Sequence, residues 1–186
     1  MKFFIALIAA LFSLSQAAAS PVEAHDALEV RAAACGDPNA AVPLLRAYTA
    51  RGTDHFYTTS ATEMESAIAH SDNGPYVSEG NAALVFTTQV DSTAPLYRLD
   101  NPNTIDHFYT TSASERDMAV ENDGYNYEEI AAYVYPSQIC GSVPFLRAWS
   151  VPMTDHFYTT SATEMAAAVA DDSYVQENNA GYVLPA

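Results

Sequence analysis

Three copies of Asp-His-Phe-Tyr-Thr-Thr-Ser, at Asp54–Ser60, Asp106–Ser112 and Asp155–Ser161, hold most of the side chains in this 186-residue chain that are suited to chemistry. Each copy sets a carboxylate beside an imidazole, with a phenol two residues on. In an extended strand His55, Tyr57 and Thr59 share one face while Asp54, Phe56 and Thr58 share the other. His107/Tyr109 and His156/Tyr158 repeat the pattern. Three equivalent imidazoles meeting on an axis would form a three-histidine metal centre, the ligand set of some catalytic zinc sites. The Asp-His pairs together with Ser60, Ser112 or Ser161 also suggest a base and a nucleophile. Two arguments weaken both readings. The chain has no His-x-x-x-His pair and no Gly-x-Ser-x-Gly elbow. A site triplicated without variation also lacks the difference in environment that separates an acid from a base. The expectation is a chain with no catalytic residue, metal or cofactor, with a hydrolase or metal-dependent enzyme as the weaker alternative.

The elements that would position these residues are legible around each copy. An apolar hexamer precedes it: Pro43–Tyr48, Pro95–Asp100 and Pro144–Trp149. Its β-branched and aromatic content, followed by a five-residue turn, reads as the first half of a β-hairpin. After the heptapeptide comes Ser-x-x-Glu, at Ser60/Glu63, Ser112/Glu115 and Ser161/Glu164. This is a capping box, in which serine accepts from the third amide and glutamate returns to the serine amide. Ala67-Ile68, Ala119-Val120 and Ala168-Val169 then give a helix of two to three turns a narrow apolar edge. Ala83–Phe86, Ala132–Tyr135 and Gly181–Leu184 read as a closing strand. The opening prolines are 52 and 49 residues apart, close to the periods of closed repeat architectures. A short helix and three strands cannot bury their faces alone, so the units must share a core. The expected fold is α+β: three tandem strand-strand-helix-strand repeats, over 43–94, 95–143 and 144–186, closed into a pseudo-threefold, three-bladed, propeller- or trefoil-like domain.

Charge narrows the partners. The net charge is -16, and beyond Arg31 there is no lysine and only five arginines. Such a chain repels nucleic-acid phosphates and anionic lipid. Three of the five, Arg46, Arg98 and Arg147, occupy one place in each hexamer. The acids that recur in register with them are Asp54/Asp106/Asp155 and Glu79/Glu128/Glu177, so a repeated Arg–carboxylate bridge is the simplest account. The sharper alternative is an arginine trio gripping an anionic ligand on the axis.

Pro-Leu-Tyr-Arg, a turn ending in Asp-His-Phe-Tyr-Thr-Thr, and Ser-x-x-Glu together resemble a family of secreted repeat domains known from fungi and bacteria, over Pro43 to Ala186. The resemblance implies an extracellular module, sometimes found beside secreted hydrolases, with no assigned activity and no catalytic set to carry over. That family's usual turn has Gly before Asp-His; here Thr53, Ile105 and Thr154 stand there.

Met1-Lys2, the apolar run Phe3 to Leu14 and the small residues to Ala19 have the order of a secretory signal peptide, assigned to 1–19. The run is too short to span a membrane. Residues 20–42 are an N-terminal extension, with Ser20 to Arg31 read either as a pro-segment or as a loose terminus. Cys35 and Cys140 precede the first and third units, and a ring of three would make those units neighbours, so a disulfide is expected between them.

Recognition is expected where the units differ. The hexamers end in Tyr48, Asp100 and Trp149, and the next turns are Thr49–Thr53, Asn101–Ile105 and Ser150–Thr154. Varied turns on a fixed frame carry recognition. Aromatic rings beside Asp, Asn101 and Asn103 suit saccharides, which stack CH faces and hydrogen-bond their hydroxyls. The leading expectation is a secreted, lectin-like module for neutral extracellular or cell-wall glycans, with several weak sites adding avidity. The alternative is a structural or interaction protein whose repeated motif serves folding only. The oligomeric state is open.

Overall fold

The computed structural model describes residues 34–70 and 74–186. The segment read as a signal peptide and the extension as far as residue 33 lie outside the described residues. The protein is α+β, built on three antiparallel sheets and three helices. β1 (Val42–Thr49), β2 (Asp54–Thr58), α1 (Ala61–His70) and β3 (Val77–Val85) form the first group. The second comprises β4 (Ala94–Asn101), β5 (Asp106–Thr110), α2 (Ala113–Asn122) and β6 (Asn126–Val134). In the third, β7 (Val143–Ser150), β8 (Asp155–Thr159) and α3 (Ala162–Asp171) are followed by a strand split into β9 (Val175–Gln176) and β10 (Gly181–Val183).

In each group the first strand is central, its hairpin partner lies on one edge and the last strand on the other. None of the sheets closes on itself into a barrel among the described residues. β3 and β6 start six residues before the apolar tetrads read as closing strands, because their exposed polar halves also pair with the central strand, through register shifts. Isolated antiparallel bridges join every pair of groups: Phe86 to Tyr133, Tyr135 to Tyr182 and Leu84 to Leu184.

One core is common to the three sheets. Leu44, Leu96 and Phe145 lie there with Tyr57, Tyr109, Tyr158, Val85, Val134 and Val183, all at most 1 to 2 % exposed. Each helix covers a smaller cluster on its own sheet, such as Phe56, Met64 and Tyr76 under α1. The apolar helix edge differs from expectation. Ala119 and Ala168 are buried, but Ile68, Val120 and Val169 face solvent, and the side chains that seat α1 and α3 are Met64 and Met165, one turn earlier. In α2 the equivalent residue is Arg116, whose guanidinium lies over the Tyr97 ring at 4.5 Å. Cys35 and Cys140 are joined by a disulfide, with Cα atoms 5.6 Å apart. No helix among the described residues is long and apolar enough to cross a membrane.

The turns before each Asp-His keep the conformation that glycine favours without using glycine. Thr53, Ile105 and Thr154 have φ of 55°, 56° and 53°. The threonines hold theirs with hydroxyls that reach a neighbouring group: Thr53 Oγ1 lies 2.6 Å from the Met153 carbonyl and Thr154 Oγ1 3.1 Å from that of Thr104. Ile105 instead packs its Cγ2 against Gly52, where a Cβ would lie only 2.7 Å away.

Candidate functional site

An edge strand leaves amides and carbonyls unpaired, and β2, β5 and β8 are edge strands within their sheets. The heptapeptide supplies what pairs them. Asp54 Oδ1 accepts the His107 amide at 2.8 Å and Asp54 Oδ2 accepts His107 Nδ1 at 2.6 Å. Asp106 holds His156 in the same way, and Asp155 holds His55. An ionised carboxylate only accepts, so each Nδ1 carries its hydrogen. The outer oxygen of each carboxylate also accepts a phenol, from Tyr76, Tyr125 or Tyr174. Two residues along, Tyr109 Oη accepts the Tyr57 amide at 2.8 Å and donates to the Tyr57 carbonyl at 2.7 Å. Tyr158 does this for Tyr109, and Tyr57 for Tyr158.

The arginines complete each junction. Arg98 forks onto Glu63 at 2.7 and 3.1 Å, with its Nε 2.6 Å from Glu128. Arg147 forks onto Glu115 and Arg46 onto Glu164, with Nε at ion-pair distance from Glu177 and Glu79. Each guanidinium also lies over a phenylalanine of the adjoining sheet, Arg98 above Phe56, Arg147 above Phe108 and Arg46 above Phe157. The recurring glutamates are therefore arginine partners, as the register suggested, but Asp54, Asp106 and Asp155 are not. They are turned onto histidine and tyrosine.

The second arginine partner is the capping-box glutamate, which also corrects the reading of that box. Ser60, Ser112 and Ser161 cap their helices by accepting the third amide. Their own amides donate to Thr58, Thr110 and Thr159 Oγ1 rather than to glutamate, and the threonine hydroxyls donate to Glu63, Glu115 and Glu164. That leaves each glutamate free to reach across to the next sheet's arginine. Burial alone would raise these three carboxyls, but the arginine hydrogen bonds prevail and hold them below the usual range.

The histidines do not converge into a three-imidazole centre. The three aspartates do converge: all are fully buried, and carboxylate oxygens of Asp54, Asp106 and Asp155 lie within 4.8 Å of one another. Burial disfavours the Asp54 charge, yet His107 and Tyr76 hold it ionised below the usual range. Burial likewise opposes the His107 charge, while Asp54 lifts that imidazole to about 8. Imidazolium thus offsets carboxylate at this junction, as a buried charge requires.

The variable residues lie at the outer end of the junctions. Trp149 lines a cleft of about 560 Å³ between the second and third sheets, together with Arg147, His156, Glu115, Asn101 and Asn122. Tyr48 lines its counterpart of about 320 Å³ between the third and first, with Arg46, His55 and Glu164. Both rings are partly exposed and lie tilted against the histidine opposite, Trp149 on His156 at 4.4 Å between centroids and Tyr48 on His55 at 4.6 Å. Asp100 holds the equivalent place opposite His107. Burial pushes its carboxyl up. Asn101 touches the large cleft but is 5 % exposed and shapes its turn, donating to the Asp123 carbonyl and accepting the Asn103 amide. Asn103 is exposed in that turn.

Sequence reasoning missed the phenols on the aspartates. Tyr76 follows its aspartate by 22 residues, and Tyr125 and Tyr174 follow theirs by 19, so the spacing signal was present but broken in the first copy.

The chain belongs to a family defined as a domain of unknown function (DUF5648), whose model matches residues 43–184. No curated protein and no solved structure matches it.

Proposed function

We propose that this DUF5648 chain is a secreted, non-catalytic binding module that recognises neutral glycans in the clefts between its repeats. In this reading the three strand-strand-helix-strand units form a closed pseudo-threefold ring. The junction contacts support the closure, since Asp–His, Tyr–Tyr and Glu–Arg links run from the first group to the second, the second to the third and the third to the first. The observation that carries the glycan reading is the Trp149 cleft. A half-buried indole is braced on His156 and surrounded by amide, hydroxyl and carboxylate groups from Asn122, Thr104 and Glu177. Pockets of this size with an apolar wall and a few polar groups suit small ligands, and a neutral polyhydroxyl ligand needs no counter-charge from so acidic a chain. The disulfide and the signal-like N-terminus support an oxidising, extracellular destination.

A second reading, a structural protein, draws on a different observation: the heptapeptide is consumed by the junctions. Asp, His and Tyr pair the strand edges, Phe lies beneath arginine, and the first Thr and the Ser cap the helix. This accounts for the identity of the three copies and leaves recognition to the residues that vary.

A glycan array run with and without calcium separates the two. Binding that Trp149→Ala weakens, without a change in melting, supports recognition. Silence on every glycan, with the variant indistinguishable from wild type, leaves the structural reading.

A further inference from the structure

Across each sheet, on the face that carries the histidine, runs one row of directly opposed residues. In the first sheet it is His55, Tyr48 and Val77, in the second His107, Asp100 and Asn126, and in the third His156, Trp149 and Val175. Opposed residues in an antiparallel ladder share a face and touch, so each row is a continuous strip. Its inner end is constant, since every imidazole is fixed through Nδ1 by an adjoining aspartate. The other two members change together. Tyr48 and Trp149 stand beside valines that are 67 and 65 % exposed, whereas Asp100 stands beside an exposed asparagine.

Folding does not require the aromatic–valine pair. The second sheet has the same register, the same Asp–His contact and the same arginine fork with polar residues in both places. A valine left two-thirds in water adds little to its own strand. Each of these two valines stands next to a ring that lines a cleft, outside the cleft lining itself.

Resting on the glycan reading above, we propose that the chain has two saccharide sites rather than three: the Trp149–Val175 strip and the Tyr48–Val77 strip. The Asp100–Asn126 strip does not take the same ligand. A ring braced on histidine and continued by an isopropyl group is a flat apolar surface that fits the CH face of a pyranose. The half-buried carboxylate and exposed amide of the second strip would set that face against polar groups it cannot pair. The two sites are unequal. The Trp149 cleft is larger and carries Thr104 and Met118 where the Tyr48 cleft has Met153 and Ala167. Two sites on one molecule add avidity wherever both can be engaged at once.

Native mass spectrometry of the secreted chain with cellohexaose, laminarihexaose, mannohexaose and N-acetylated chitohexaose counts the sites. Wild type is expected to take up two copies of the sugar that binds. Trp149→Ala or Val175→Asp removes one, and Tyr48→Ala or Val77→Asp removes the other. Asp100→Ala keeps two, and Asp100→Tyr with Asn126→Val raises the count to three. The valine variants, on exposed side chains, replace the ring deletions where those fail to fold. A wild-type count of one or three, or loss of a sugar on Asp100→Ala, overturns the two-site assignment and leaves the glycan reading standing. Uptake of none of the four sugars, with the fold intact by circular dichroism, overturns both.

Discussion

Asp54 takes both the amide and Nδ1 of His107, at 2.8 and 2.6 Å, and the two residues belong to different sheets. One carboxylate therefore pairs a strand-edge donor, fixes an imidazole tautomer and joins two parts of the fold. The same three tasks fall to Asp106 with His156 and to Asp155 with His55. Identity of the three Asp-His steps follows from this junction geometry without any appeal to catalysis.

Removing one of these acids should cost far more than removing the acid at the variable position. Asp106→Ala leaves His156 and the Tyr125 phenol without their acceptor. Each buried donor left unsatisfied costs about 1–3 kcal/mol. Asp100 is half-buried, and burial disfavours its charge, so Asp100→Ala should melt at or near the wild-type temperature at neutral pH. Equal melting of the two variants by calorimetry would contradict the division between frame and variable positions.

The same pairing makes stability depend on pH, with a definite sign. His107 is raised to about 8 in the folded protein against about 6.5 unfolded. Its contribution is therefore complete below the unfolded value and is lost as pH rises through about 8. Asp54 is lowered, so its contribution is present above the ordinary carboxylate range and is lost as pH falls through its folded value. Denaturant melts should show a plateau in mildly acidic buffer and a fall on the order of 2 kcal/mol between roughly pH 6 and 9. His107→Asn should melt lower and remove that part of the slope. A flat profile in the wild type across this range would rule out the charged pair.

Much of this was legible in the chain. Ser60, Ser112 and Ser161 are readable as caps because the Ser-x-x-Glu spacing alone places hydroxyl and third amide together. The partner of each glutamate was not readable. Thr58, two residues before Ser60, takes the serine amide and releases Glu63 to the next sheet, a long-range contact that local spacing does not encode. Arginine register pointed correctly to Glu79, Glu128 and Glu177, but equally to the aspartates, whose true partners depend on how the sheets meet. Trp149 and Tyr48 stood out as variable aromatics. Their valine neighbours did not, because the pairing of Tyr48 with Val77 follows register shifts between Leu44/Leu45 and Arg46/Ala47 that sequence patterning does not reveal.

Tyr109→Phe tests the tyrosine cycle. The phenol both accepts from and donates to Tyr57 backbone groups in a fully buried site. Phenylalanine keeps the ring but leaves an amide and a carbonyl without that partner, at about 1–3 kcal/mol for each unsatisfied group. Tyr127→Phe, on a ring 45 % exposed, should change stability by less than about 0.5 kcal/mol. Chemical denaturation of the two variants side by side should separate them by a shift in midpoint at unchanged slope.

Arg147→Lys tests whether the junction needs a fork or only a positive charge. Arg147 presents two nitrogens to Glu115 at 2.9 and 3.0 Å, turns its Nε toward Glu177 and lies over the Phe108 ring at 5.1 Å. An ammonium is a compact, more strongly hydrated charge that cannot reproduce a planar two-point contact together with stacking. Lysine should therefore lower the melting temperature nearly as far as Arg147→Met, by several degrees for a domain of this size. Arg116→Lys, whose partner Asp117 is exposed and whose guanidinium lies over the Tyr97 ring, loses stacking but no fork and should cost less. Retention of wild-type melting by Arg147→Lys would show that charge alone suffices and that the fork is incidental.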